Sequence, residues 1–205
     1  MPELNLPQIV QSVLQELGVS DPTPMPDPDY LMFYKNITDR IIYMDFDVDG
    51  NVLMLHKLIM RWNIEDEGIK PEDRKPIKLF IMSHGGALDY MWMLIDTILA
   101  SKTPVWTYNI GVAHSAAGLI FMSGHKRFMA KNASIVIHEG SAEFDGDSVK
   151  VLDATESYRK AIKKMKEFVL QHTEIPKSML NRKRANDWEL SAEDCLKYHV
   201  CDEIM

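Results

Sequence analysis

The sequence predicts an α/β fold, and three observations carry that prediction. From about residue 40 onward, β-type apolar runs alternate with segments of helical periodicity. One run, "IKLFIMS" (77–83), is apolar almost throughout, as a covered strand is. The segment after it, "ALDYMWMLIDTILA" (87–100), is apolar on most sides of a helix and therefore predicts a buried one.

Each element follows in order. Ile9, Val10, Val13, Leu14 and Leu17 share one helical face, and Gly18 is a natural stop. "DPTPMPDPDY" (21–30) then sets four prolines in seven residues, which predicts an extended spacer rather than a helix or central strand. Residues 1–30 are thus expected to be an arm, and 31–205 the main domain. In that domain "RIIYMDFDV" (40–48) predicts a strand and "NVLMLHKLIMRW" (51–62) a helix, with Asp49 capping it. A charged loop over 64–76 leads to the strand 77–83 and the helix 87–100. A third strand over 104–110, a short helix over 115–123 and two short strands, 126–130 and 134–138, come next. Leu152, Thr155, Tyr158, Ile162, Met165 and Val169 recur at steps of three and four, predicting one long amphipathic helix over 148–172. In the closing stretch 190–204, Ser191 is an N-cap with Asp194 three residues on, a capping-box pattern.

Composition excludes several functions. Thirty acidic against 23 basic residues leave a net charge of −7, and "NRKR" (181–184) is too short a basic tract to support phosphate-dominated nucleic-acid binding. No apolar run approaches a membrane span, and the amphipathic start is not a signal peptide, so no membrane partner is expected. Two cysteines, Cys195 and Cys201, make neither a disulfide framework nor a zinc site and fit a reducing cytoplasm. "DFDVDG" (45–50) opens like a calcium loop, but its twelfth position is His56 where a bidentate glutamate is required. No metal or cofactor is expected. Fourteen methionines are read as packing, including at subunit contacts.

The chemistry-bearing residues fall at element boundaries. "SHGG" places Gly85 and Gly86 between an apolar strand and a buried helix, where backbone N–H groups can turn outward. "GVAHSAAG" (111–118) repeats that shape and puts Ser115 at a helix start, where the dipole favours developing negative charge. "SIVIHEG" ends a strand on His138, and Asp187 stands in a loop before the last helix. Singly, each is an ordinary turn or strand-end residue. Together, a diglycine, serine, histidine and aspartate in this order suit a nucleophile, its base and an orienting acid.

From about Arg40 to Met205 the sequence resembles the proteolytic subunit of the Clp protease and its phage and plasmid relatives. "LFIMSHGG", "GVAHSAAGLIFMSG…KRFMAKNASIVIHEG", the helix ending "LQHT" and "NDWELSAEDCLKYHVCDEI" match the family's "SPGG", "GQAAS", "KR…PNS…IHQP", "HTG" and closing segments in order and approximate spacing. The resemblance implies a crotonase-like spiral of ββα units with a long handle helix, residues 140–172 being a strand and helix through which two rings stack around a chamber. It implies Ser115 as nucleophile, His138 as general base and acid, Asp187 as its orienter, and the N–H groups of Gly85 (or Gly86) and Ala116 as the oxyanion hole. The substrate would be polypeptide and the assembly a homo-oligomeric ring. Departures are His84 and His114 beside the glycines and the serine, Glu139-Gly140 after His138, and His199 at a family glycine. The proline-rich arm also differs from the family's axial segment, which leaves an AAA+ unfoldase partner open.

Three rivals stand beside this reading. "AHSAA" and "HGG" loosely fit an α/β-hydrolase esterase, but His172 falls in a helix, and neither it nor His199 stands in a suitable loop. A catalytically impaired ring subunit or scaffold would keep the fold without activity. A crotonase-type acyl-CoA enzyme would use paired amides but has no need of the serine, histidine and aspartate together.

Overall fold

The structure, a computed structural model, describes Gln15, Gly18, residues 27–183 and residues 187–205. The helix expected over residues 9–17 and most of the proline spacer lie outside the described residues. The chain divides into two units, 1–42 and 43–205.

In the first unit α1 (Pro28–Thr38) corrects one expectation, since the spacer's last three residues are helical. Asp27 caps the helix by accepting from Asp29 N at 2.9 Å. Pro28 opens the first turn, where its missing N–H costs nothing and its fixed φ already suits a helix. β1 (Ile41–Met44) straddles the boundary and ends with Tyr43 and Met44 in the second unit.

The second unit carries a mixed α/β arrangement. After β1 come α2 (Val52–Glu65), β2 (Ile77–Ser83), α3 (Leu88–Ala100), β3 (Val105–His114), α4 (Ala116–Met122), β4 (Lys126–Met129) and β5 (Ser134–Ile137). They are followed by α5 (Ser148–His172), α6 (Lys177–Lys183), β6 (Trp188–Ser191), α7 (Ala192–Lys197) and β7 (Glu203–Ile204). Strand order is β1-β2-β3-β4-β7, with β5 paired to β3 and β6 to β5. All registered pairs are parallel except β5 with β6.

β3 runs four residues beyond the expected strand, and that extension builds the site. Its first half pairs Trp106–Asn109 with β4. Its second half leaves β4 and pairs Val112, Ala113 and His114 with Ser134, Ile135 and Val136. Ser83 at the end of β2 sits beside Ala113 after a register shift. Two strand ends and two helix starts therefore converge. Leu55, Ile59, Leu79, Ile81, Leu94, Ile98 and Ile120 fill the core around them, each fully buried. Across the sheet Tyr43, Phe80, Tyr108 and Phe128 stack in succession at centroid spacings of 5.3, 4.6 and 4.6 Å.

The remaining elements match or depart from expectation for physical reasons. Asp49 accepts the Asn51 N–H at 2.8 Å in a turn, and Asn51 is the α2 N-cap. Among the described residues, 138–147 pair with no strand of this chain; the strand implied there is one at which two rings would meet, its ladder supplied by another copy. α6 and β6 arise where the sequence shows little periodicity, β6 being held by its pairing with β5. α5 keeps its expected bounds, but Ser148–Glu167 contains no buried residue, and only Phe168 and Val169 enter the core.

Candidate active site

Ser115 sits between β3 and α4 with φ 54° and ψ −125°, a region costly for any residue with a Cβ. Its N–H donates to Val136 O at 2.8 Å, which ties the strained turn to β5. The side chain makes no cap bond to α4, so the hydroxyl has no structural duty at the helix start. Ala116, Ala117 and Gly118 follow, all buried, and a Cβ on Gly118 would stand 2.9 Å from Ala113 O. The small residues let α4 fold back tightly on β3.

His138 lies one residue past β5. Its Nδ1 is 3.2 Å from Asp187 Oδ1, and the Asp187 side chain is 75% exposed. Its Nε2 is buried without a hydrogen-bond partner, so no bond joins it to Ser115 Oγ in this conformation. Ser115 and His138 nonetheless line one cavity with Gly86, Leu119, Tyr158 and Met165. His138 also lines a second, mainly apolar cavity, walled by Leu119, Ile162, Met165, Val169 and Trp188.

The diglycine packs directly on the serine turn. A Cβ on Gly85, at φ 104°, would come within 2.7 Å of His114 O, 2.8 Å of Ser115 Cβ and 3.1 Å of Ala116 N. On Gly86 a Cβ would run into the Val48 backbone, held there by Val48 N to Gly85 O and Ala87 N to Val48 O, both 2.7 Å. Gly85 N donates to Ser83 Oγ at 3.2 Å. Among the described residues, the N–H groups of Gly86 and Ala116 have no loop or cap acceptor.

His114 is drawn away from the serine, with Nε2 3.0 Å from Ser134 Oγ. Its ring meets that of His84 edge-on at 5.4 Å. Burial lowers its pKa, and His84 lowers it further against the opposing pull of Glu189 and Asp187. Sequence reasoning did not single out Ser83, Tyr158 or Lys166. Tyr158 and Lys166 reach the site only because α5 packs beside residue 139, a tertiary fact with no local signal. Among the described residues no cluster of His, Cys, Asp and Glu could hold a metal ion, and no helix is long and apolar enough to cross a membrane.

The site residues brought together are therefore Ser115, His138, Gly85 and Gly86, with Asp187 on the far side of the imidazole. A curated relative, the ATP-dependent Clp protease proteolytic subunit of Deinococcus radiodurans, is 27% identical over 189 residues, covering 91% of this chain and 90% of its own length. The Clp protease family model matches residues 37–205, which include every site residue named above. The chain belongs to the Clp protease family.

Proposed function

We propose that the chain is a serine endopeptidase that cleaves polypeptide through Ser115, His138 and Asp187. The observation that carries this reading is the orientation of His138. One ring nitrogen faces a carboxylate, while the other is buried and unpartnered, on a residue that lines the same cavity as Ser115. A buried nitrogen without a partner is costly in a structural role and suits one that receives a proton.

In this mechanism Ser115 Oγ attacks the scissile carbonyl carbon while His138 Nε2 takes the hydroxyl proton. The C=O electrons move onto the oxygen, which the N–H groups of Ala116 and Gly86 receive. Gly85 is the less suitable donor, because its N–H already faces Ser83 Oγ. His138 then returns the proton to the leaving amine, and water repeats the sequence on the acyl-enzyme. Asp187 holds the proton on Nδ1 and stabilises the imidazolium. The missing Ser115–His138 bond is consistent with a resting site that tightens on substrate.

A ring assembly follows from α5 in the same reading. Val149 and Leu152 are 65% and 69% exposed on a part of α5 that no described residue covers, and a second copy would cover them. The open Ser115–His138 geometry also favours a second reading, a ring subunit without turnover. Intact-mass detection of a fluorophosphonate adduct decides between the two. Wild type should gain one adduct and Ser115→Ala none; an unlabelled wild type would leave only the inactive subunit.

A further inference from the structure

His138 is the first residue beyond the last β5–β6 pair, Ile137 with Trp188. The sheet therefore stops orienting the chain just where the imidazole begins. Asp187, on its far side, is mostly exposed and provides a weak anchor. One residue further on, two contacts take over. Glu139 O accepts from the Tyr158 hydroxyl at 2.8 Å, and the Glu139 carboxylate receives Lys166 Nζ at 2.5 Å. Both donors stand on α5, eight residues apart and so on one helix face.

The anchors are firm at their other end. Phe168 and Val169, just past Lys166, are buried, and His172 O accepts from Arg127 Nη1 at 2.7 Å. Lys166 and Glu139 side chains are only 25% and 29% exposed, so water and salt weaken this pair less than the surface pairs elsewhere on α5. Gly140, at φ 77°, leaves room for Tyr158 Oη, which would stand 2.9 Å from any Cβ there. Burial and the charge of Glu139 raise the Tyr158 pKa, which keeps its hydroxyl a donor.

We infer that Lys166 and Glu139, with Tyr158, are positioning residues for His138, fixing its backbone against α5 so that Nε2 addresses Ser115. The inference rests on the serine-protease reading. The pair touches neither nucleophile nor scissile bond and acts through the peptide unit of residues 138 and 139.

The test compares kcat and KM of the full chain on a fluorogenic peptide. Displacing a catalytic group by about 1 Å can cost on the order of 100-fold. Lys166→Met and Glu139→Gln should therefore each lower kcat by about 10-fold or more, with KM within about threefold, as expected when only transition-state geometry suffers. Lys166→Arg should retain kcat. The exchanged pair, Glu139→Lys with Lys166→Glu, should recover most of what either single change loses, which a purely structural role for either residue does not require. Single variants as fast as wild type, or an exchanged pair no faster than the singles, would overturn the inference. Fluorophosphonate labelling of wild type separates the two failures. No label on Ser115 removes the protease reading itself, whereas a labelled enzyme indifferent to these changes removes only the tether.

Discussion

His138 Nδ1 stands 3.2 Å from Asp187 Oδ1, yet three-quarters of the Asp187 side chain is open to solvent. An exposed pair contributes little to stability. Its effect on a reaction at Nε2 is another matter, because the bond at one ring nitrogen decides where the proton sits on the other. Asp187→Asn should thus shift the unfolding midpoint hardly at all while cutting kcat by roughly 10⁴-fold, the scale seen when a triad aspartate loses its charge. Thermal unfolding and peptidase assays on one preparation check this. A variant that unfolds readily but turns over normally would reverse the assignment.

His114 adjoins Ser115 in sequence but is turned toward Ser134. Its lowered pKa, from burial first and His84 second, keeps it neutral through the neutral range. The sign for stability follows. A histidine whose folded pKa lies below its unfolded value, about 6.5, contributes stability that is present above that pH and lost as pH falls through the folded value. His114→Asn should therefore flatten the loss of stability on mild acidification and leave peptidase activity near wild type. Denaturant unfolding between pH 7 and pH 5 reads the first effect, and a fluorogenic peptide the second.

Arg127 and Asp202 form a largely enclosed ion pair. Arg127 Nη2 meets Oδ1 at 2.6 Å and Nε meets Oδ2 at 3.1 Å, with the guanidinium 8% exposed. Burial alone would raise the Asp202 pKa, but the hydrogen bonds and charge of Arg127 outweigh it and hold the carboxyl below its usual value. The contribution is present above the unfolded pKa near 4 and lost as pH falls through the lower folded value. Asp202→Ala should cost about 3–5 kcal/mol, because the buried guanidinium loses its partner. Urea unfolding measures that, and a cost below 1 kcal/mol would mean that the pair is not buried in solution.

The physical reach of each signal explains what the sequence made legible. β2 and α5 follow their expected bounds because apolar periodicity is local and continuous over Ile77–Ser83 and Ser148–His172. β3 continues through Gly111 to His114 against local preference, since β2 and β5 offer it ladders on both sides. β6 and β7 are too short to have a period. At the site, Ser115, His138 and the diglycine were legible as boundary residues, being small or reactive groups at strand–helix junctions. The engagement of Glu139 by Lys166, 27 residues later, depends on packing that no short window along the chain contains, whereas the Gly85 N–H to Ser83 Oγ bond spans two residues and depends on the backbone geometry of the turn.

Cys195 and Cys201 are free and buried. Burial raises the Cys195 pKa, with Cys201 adding to it, and pushes Cys201 up to about 11, with Asp202 adding to it. Thiolate is the reactive form, so both should resist iodoacetamide at pH 8 in the native state and react fully in denaturant. Peptide mapping of alkylated sites checks this; rapid native labelling of Cys195 would show that α7 opens locally, and of Cys201 that the segment after it does.

The end of α7 holds a residue that its geometry disfavours. Val200 N donates to Cys195 O at 2.7 Å and His199 N to Leu196 O at 3.2 Å, the two bonds of a Schellman motif. That motif needs a left-handed residue at its centre, and His199 supplies it at φ 50°. A side chain there costs about 1–2 kcal/mol that glycine does not incur. The return from the side chain is small: Nε2 lies 3.4 Å from Asp202 Oδ1, but His199 is 55% exposed and such pairs give little. Glycine's greater freedom in the unfolded chain removes part of the gain. His199→Gly should still be stabilising by about 1 kcal/mol, raising the unfolding midpoint by about 2–4 °C for a chain of this size. His199→Ala, which keeps the Cβ and loses the pair, should show no gain. If both variants were equally destabilised, the histidine would be held there by the Asp202 contact rather than tolerated despite its backbone.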